Sequence, residues 1–287
     1  MEPITGIDHV IVGVRDLEIA RETWRRLGFA LAPRGRHLKQ PTGNYCVMFP
    51  LDYIELLGIV DTGASTHRLG NFLGWREGPM GIAFAPAGSA EEARAMLVER
   101  ALHLSEPRPL ARQIELPEGV ALLRFTLVSL PGEETPGLDC FLCAHLTPEL
   151  MRRPEWLRHP NGATGIEALY ILVESTAPLL PAYDRLFGIV QVTTTDAVAA
   201  VHVGHHRLVF STPDDFQTMH PALKFAGDFP LPGIVALEIG VERRDATAAY
   251  LAGQNITFTE MPDGSLAVPA HQANGAILIF SESRRPR

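Results

Sequence analysis

Two apolar stretches decide the fold of this chain: residues 6–14, GIDHVIVGV, and residues 53–59, YIELLGI. Both are rich in branched aliphatic side chains, as buried β-strands are. Between them, Asp16 is a predicted N-cap and Gly28 a predicted helix end. The intervening apolar side chains recur at helical spacing, which predicts an amphipathic helix: Leu17, Ala20, Trp24 and Leu27. Strand candidates at residues 29–35 and 44–50 complete a βαβββ module that ends near Val60.

The same module occurs three more times, with openings at residues 80–87 (MGIAFAPA), 165–174 (GIEALYILVE) and 233–242 (GIVALEIGVE). Residues 147–163 lack strand periodicity and carry prolines beside charged residues, which is typical of a connection. We therefore expect an α+β protein of two domains, residues 1–146 and 164–287, joined by 147–163.

Composition excludes several classes of protein. The net charge is −8 and the basic residues are scattered, which argues against nucleic acid as a partner. The first residues enter a strand without a basic leader, and no apolar stretch is long enough to cross a bilayer, so neither secretion nor membrane insertion is expected. Three cysteines fit a reducing compartment, and we expect a cytoplasmic protein. Cys140 and Cys143 lie in a predicted strand on opposite faces, which disfavours a redox or zinc pair.

The sequence resembles the glyoxalase-like family of the vicinal oxygen chelate (glyoxalase, bleomycin resistance and dioxygenase) superfamily. The resemblance lies in Ile7–His9 (IDH), in the helix pattern of residues 16–29 (DLEIARETWRRLGF), and in Tyr53–Leu56 (YIEL). Residues 35–49 (GRHLKQPTGNYCVMF) and 145–166 (HLTPELMRRPEWLRHPNGATGI) are also similar to that family. It implies that each pair of βαβββ modules forms a cupped open barrel, with a divalent metal ion held by the first and last strands of a module.

His9 and Glu55 match the ligand positions that the resemblance implies. An imidazole and a carboxylate together suit Zn, Fe, Mn, Ni or Co. The alternative is that the two side chains hydrogen-bond each other or the backbone across the sheet. A carboxylate in so apolar a strand requires a partner in either case.

The other modules lack these ligands. Gly81 or Ile82 stands opposite His9 in the second module, and Ala168 or Leu169 does so in the third. His145 lies two residues beyond Cys143 on the same face of its strand, so it is a candidate third ligand or general acid/base, with Glu55 the other catalytic candidate. The alternative is a structural histidine that binds the connection. The second domain is predicted to be a degenerate copy.

His37, Thr42 and Asn44 are predicted to lie between the second and third strands, near the mouth of the cup. His37 and Asn44 are candidate substrate-binding residues, although a tight turn would also explain Thr42 and Asn44. His205 and His206 are expected to be exposed.

Two functions are favoured at this point over a purely structural or interaction role, which would leave Glu55 in its apolar strand without a function. One is a metal-dependent lyase, isomerase or dioxygenase acting on a small molecule with adjacent oxygens; the other is a metal-free small-molecule binding protein of the bleomycin-resistance type. A homodimer is the default expectation for the oligomeric state.

Overall fold

The computed structural model describes residues 2–61, 63, 67–225 and 229–283. The first module consists of β1 (Ile4–Gly13), α1 (Leu17–Arg26), β2 (Gly35–His37), β3 (Thr42–Met48) and β4 (Tyr53–Ile59). A helix, α2 (His67–Trp75), leads into the second module: β5 (Gly78–Pro86), α3 (Ala90–Glu99), β6 (Arg108–Leu116), β7 (Gly119–Leu130) and β8 (Cys140–His145).

The second half repeats this order. After two short 3₁₀ turns (Pro148–Leu150 and Pro154–Trp156), the third module consists of β9 (Ala163–Leu172), α4 (Leu180–Phe187), β10 (Val192–Thr194), β11 (Val198–Val203) and β12 (His206–Ser211). Helix α5 (Pro213–Met219) precedes the fourth: β13 (Gly233–Val241), α6 (Arg244–Gly253), β14 (Thr259–Glu260), β15 (Leu266–Val268) and β16 (Ile277–Glu282). Further 3₁₀ turns span Ala177–Leu179, Ile189–Gln191 and Ala270–Gln272. None of the described helices has the length and apolar character that a bilayer crossing requires.

Local capping explains where the helices begin. The Asp16 carboxylate accepts hydrogen bonds from the backbone N–H groups of Glu18 and Ile19 at the start of α1. Ser89 and Glu92 form a reciprocal capping box at the start of α3. The Asp16 cap was predicted from the sequence, and both caps orient a helix whose apolar face packs on the sheet.

The first eight strands form a closed barrel in the order β1-β4-β3-β2-β6-β7-β8-β5. β1 pairs with β5 in antiparallel fashion and joins the two modules, while β2 pairs with β6 on the opposite side. The predicted α+β class and the tandem pairs of βαβββ modules are confirmed. In the first half the pairing of β2 with β6 closes the predicted open barrel into a complete one.

The second half is an open eight-stranded sheet in the order β10-β11-β12-β9-β13-β16-β15-β14. A cluster of buried apolar side chains, which includes Leu172, Phe216 and Ile279, fills one face of this sheet. Phe216 comes from α5 and is fully buried. Ala168 stands at the position of His9 and pairs with Glu238 on β13. The Glu238 carboxylate is buried and accepts hydrogen bonds from Tyr170, Arg207 and Ser281, so this face has a paired carboxylate and an alanine in place of the histidine.

The two halves share one core. A single cluster of buried apolar residues contains side chains from both, and Phe29 stacks on Phe280 with ring centroids 6.1 Å apart. Asp52 accepts hydrogen bonds from the backbone N–H of Ile166 and from Nε2 of His206, each at 3.0 Å. His206 was expected to be exposed, and this expectation is wrong: only 3% of the residue is accessible, because its ring lies between the halves. The boundaries at 146 and 164 stay a prediction.

Candidate metal centre and ligand cavity

A β-bulge in β1 brings two successive polar side chains into the interior. The pairing of β1 with β5 shifts between Ile7 and His9, so Asp8 is the extra residue. Asp8 and His9 are both buried, and Nδ1 of His9 lies 2.7 Å from Oδ2 of Asp8. Burial alone would raise the pKa of Asp8. The charges and hydrogen bonds of His145 and His9 lower it by more than burial raises it, so the pKa lies below its usual value and this carboxyl stays ionised. The carboxylate fixes the Nδ1–H tautomer of His9 and leaves Nε2 free to face the cavity.

Glu55 lies at the middle of β4, between two histidines. Its Oε2 is 3.7 Å from Nε2 of His9, and its Oε1 is 3.7 Å from Nε2 of His37. The side-chain amide of Asn44, on β3, donates a hydrogen bond to Oε1. Burial raises the pKa of Glu55, but the charges of the histidines and of Arg112, together with the Asn44 hydrogen bond, bring it below its usual value. Glu55 is therefore a buried, ionised carboxylate.

His37 is held in the same way from the other side. Nδ1 of its ring lies 2.9 Å from the Thr42 hydroxyl, which leaves Nε2 directed at Glu55. Burial is the main cause that lowers the pKa of His37 to about 4, and the nearby Arg112 contributes. At neutral pH the ring is uncharged, which is the form that binds metal ions. Thr42 and Asn44 lie in strand β3 rather than in the tight turn that the sequence also allowed.

These side chains line a cavity of about 250 Å³ inside the barrel. Its walls are mostly apolar, with Tyr53 stacked on His9 at 4.4 Å between ring centroids. The charged side chains that line it, within the described residues, are one carboxylate, Glu55, and three guanidinium groups. The lining residues used below are His9, His37, Tyr53, Glu55, Arg68, Arg108, Leu110, Arg112, Phe125, Leu127, Phe141 and Cys143.

His145, predicted as a third ligand, lies behind Asp8 rather than on the cavity lining. Its Nε2 is 3.0 Å from the Asp8 carboxylate, and Nδ1 has no hydrogen-bond partner within the described chain. The structure thus brings together His9, Glu55, His37 and Asn44 from the predicted set. It connects His145 to His9 through the Asp8 carboxylate and through the ring of Tyr53.

Two arrangements of donor atoms could hold a cation. Among the described residues, Asp8, Cys143 and His145 form the group whose donor atoms all lie within 4.8 Å of one another. However, Asp8 already binds two histidines there, and neither Asp8 nor His145 lines the cavity. The donor atoms of His9, Glu55 and His37 lie further apart, but all three residues line the cavity. The Nδ1 atoms of both histidines already have hydrogen-bond partners, as those of metal-binding histidines do. This second set fits a divalent ion better.

Sequence reasoning missed Asp8 and Arg112. Strand alternation places Asp8 on the opposite face from His9, and the bulge that overrides it has no local sequence signal. Arg112 lies directly opposite His37 across the β2–β6 pairing that closes the barrel. Only the register of that long-range pairing identifies it as a site residue.

A sequence model of the glyoxalase-like domain family matches residues 7–187, which is more than half of the chain. The chain belongs to this family. The match begins in β1 and ends with α4, so it includes every residue of the cavity and confirms the resemblance seen in the sequence. No curated protein sequence matches this glyoxalase-like chain.

Several solved structures are similar to this glyoxalase-like protein over nearly its full length. A hypothetical protein from Staphylococcus aureus matches with a TM-score of 0.69 and 13% identity, covering 96% of this chain and 99% of that chain. A catechol 2,3-dioxygenase matches at 0.58 and 13%, covering 99% and 94%. A mutant 4-hydroxymandelate synthase from Streptomyces coelicolor matches at 0.56 and 12%, also covering 99% and 94%. At these identities the likeness shows a shared two-domain fold.

Proposed function

We propose that this protein is a metal-dependent enzyme of the dioxygenase type, which acts on a small molecule with adjacent oxygens in the barrel of the first half. His9, Glu55 and His37 would hold the ion. The observation that carries the proposal is that two imidazole Nε2 atoms flank the two oxygens of one buried carboxylate inside a cavity. Two histidines and one carboxylate with open positions are typical of non-haem iron(II) oxygenases.

When bound, a divalent ion acts as a Lewis acid that stabilises negative charge on a substrate oxygen. The chain's own residues prepare the site for that ion. Asp8 and Thr42 fix the ring orientations of His9 and His37, and Asn44 orients the Glu55 carboxylate. The apolar walls around them exclude water from a bound substrate. His145 contacts the far side of Asp8 and would hold that carboxylate in place, rather than act as a ligand as the sequence suggested.

Metal analysis of purified protein reconstituted with Fe(II), Mn(II), Co(II), Ni(II) or Zn(II) tests the proposal. We expect about one tightly bound ion per chain, and loss of that ion in His9→Gln, His37→Gln and Glu55→Gln. His145→Gln and Cys143→Ser are matched controls, because they alter the neighbouring Asp8 cluster without altering the ligands, and both should retain the ion. Oxygen consumption with catechols and 2-oxo acids then tests the reaction class.

The opposite pattern of metal loss among the variants would indicate that the ion binds at the Asp8 cluster. That is, loss in His145→Gln or Cys143→Ser with retention in His37→Gln contradicts the proposed ligand set. Failure of the wild-type protein to bind any of the five ions contradicts metal dependence altogether.

A metal-free binding protein is the second candidate. It is favoured by the hydrogen bond from Asn44 and by the charge of Arg112, which stabilise the Glu55 carboxylate without an ion. In that case ligand affinity would be the same with and without EDTA treatment and would survive Glu55→Gln.

A further inference from the structure

Arg112 is a buried cation on the wall of the cavity. It lies on β6, and only 3% of the residue is exposed to solvent. Along this strand Arg108, Leu110 and Arg112 alternate onto the same inward face, with Arg108 exposed at the mouth and Arg112 at the inner end. Arg112 therefore lines a space that a ligand can enter.

The partners of Arg112 are weak. Its Nη1 lies 3.0 Å from Sγ of Cys46, and its Nη2 lies 3.1 Å from Sδ of Met151. Sulfur atoms are poor hydrogen-bond acceptors. Nε has no hydrogen-bond partner in the described part of the chain. Among the same residues, no carboxylate oxygen lies within 4.0 Å of the Arg112 guanidinium group. The Cys46 thiol does not supply the missing charge, because burial raises its pKa to about 11.

A guanidinium group cannot escape this situation by losing its proton, since it remains charged throughout the physiological range. A buried charge that lacks a hydrogen-bonding counterion is costly, and a natural protein retains one where a ligand supplies the counterion. The other two arginines on the lining differ. Arg68 is paired with Asp139, and Arg108 is exposed to solvent.

We propose that the cavity binds a small organic monocarboxylate, with its carboxylate on Arg112 and an apolar or aromatic body against Leu110, Phe125 and Leu127. The planar fork of a guanidinium group matches the two oxygens of a carboxylate. The ring of Phe125 lies 5.8 Å from the Arg112 guanidinium carbon, so the cationic and aromatic parts of the wall adjoin. The charge of Glu55, which interacts with Arg112, disfavours a doubly charged phosphate. A cavity of about 250 Å³ suits a molecule the size of a substituted benzoate or phenylacetate.

This inference deepens the proposed function, and it rests on that function only for the claim that the bound acid is a substrate. Binding itself requires Arg112 and not the metal ion. The two can therefore be tested separately on the same full-length protein.

Calorimetric titration of acetate, benzoate, 2-hydroxybenzoate and phenylacetate, each beside its uncharged amide, tests the inference. The titrations use the protein as isolated and again after EDTA treatment. We expect at least one aromatic acid to bind about tenfold or more tightly than its amide under both conditions. Arg112→Met should abolish this preference, and Arg112→Lys should keep part of it. Arg108→Met is the matched control on the same strand and should retain most of it.

Far-UV circular dichroism and thermal unfolding establish that Arg112→Met is folded, as is expected when an apolar chain of similar length replaces a buried charge. Equal affinity for acid and amide, retention of the preference in Arg112→Met, or absence of binding by every acid at millimolar concentration overturns the inference. A metal-free protein that still prefers the acid leaves it standing while the proposed function fails. A metal-loaded protein that lacks this preference supports the proposed function and overturns the inference.

Discussion

At the scale of single residues, the Thr42 hydroxyl determines which nitrogen of His37 faces Glu55. Thr42→Val removes this hydroxyl at nearly constant volume, so the ring loses the partner that orients it. Such outer partners typically contribute about tenfold to a hundredfold to metal affinity, and we expect a loss of that size, measured by competition with a chromogenic chelator. Thr42→Ser keeps the hydroxyl and should bind normally. Equal affinity of the valine and serine variants would contradict the role assigned to this residue.

His9 and Glu55 could be predicted as site residues because they match the ligand positions that the family resemblance implies. The carboxylate of Glu55 in an apolar strand also requires a partner. Their meeting in the structure, with Nε2 and Oε2 at 3.7 Å, follows from adjacent parallel strands, β1 and β4. The role of His145 could not be predicted in the same way. Its strand face was predicted, but the bulged Asp8 stands between its ring and that of His9.

At the scale of elements, the short strand β2 depends on a glycine. A Cβ atom at Gly35 would overlap Oδ1 of Asn44 and lie 2.8 Å from Cδ of Arg112. Gly35→Ala must therefore displace two side chains of the cavity wall, and we expect it to destabilise the protein by about 1–3 kcal/mol in urea unfolding.

Gly74→Ala is the control for this prediction, because a Cβ atom at Gly74 in α2 meets nothing within 4 Å. In a helix that substitution should be neutral or stabilise by up to about 1 kcal/mol. If Gly35→Ala proved as harmless as Gly74→Ala, the close packing of β2 against β3 and β6 would be contradicted.

The longer elements were predicted better than the short ones. Helix α1 has a cap, a helical apolar spacing and a glycine end, and all three signals agree with the structure. By contrast, residues 29–35 were predicted as a strand, but the structure places β2 at Gly35–His37. Its pairing with β6 determines where it lies, and a three-residue strand is too short to have a periodic pattern.

At the scale of the whole molecule, His159 ties the connection to the first half. Its Nδ1 accepts a hydrogen bond from the backbone N–H of Ala30, and its Nε2 donates to the carbonyl of Met48. Burial lowers the pKa of His159 to about 4 in the folded protein. As pH falls below about 6.5 the unfolded chain takes up a proton that the folded ring does not, so stability is lost between about pH 6.5 and pH 4.

This histidine should account for up to about 3 kcal/mol of that loss. The measurement is the free energy of unfolding in urea at pH 7.5 and pH 4.5, for the wild type and His159→Asn. The variant is expected to be less stable at the higher pH but to have a shallower pH dependence. A variant that kept the full wild-type slope would show that His159 titrates alike in the folded and unfolded states.

The tandem arrangement followed from the fourfold repeat, but the contact between the halves did not. His206 lies two residues after Gly204, next to His205 and Arg207, and this is the pattern of an exposed turn. No residue of that stretch indicates the hydrogen bond with Asp52. Contacts of this kind join residues far apart in sequence, and single-sequence patterns describe only the near neighbourhood of each residue.

The apolar cluster that runs through both halves has a consequence for shortening the chain. Phe29 in the half that carries the cavity packs on Phe280 near the far end of the described chain. A first half produced alone would therefore expose buried apolar side chains such as Phe29 to water, although it contains every residue that lines the cavity.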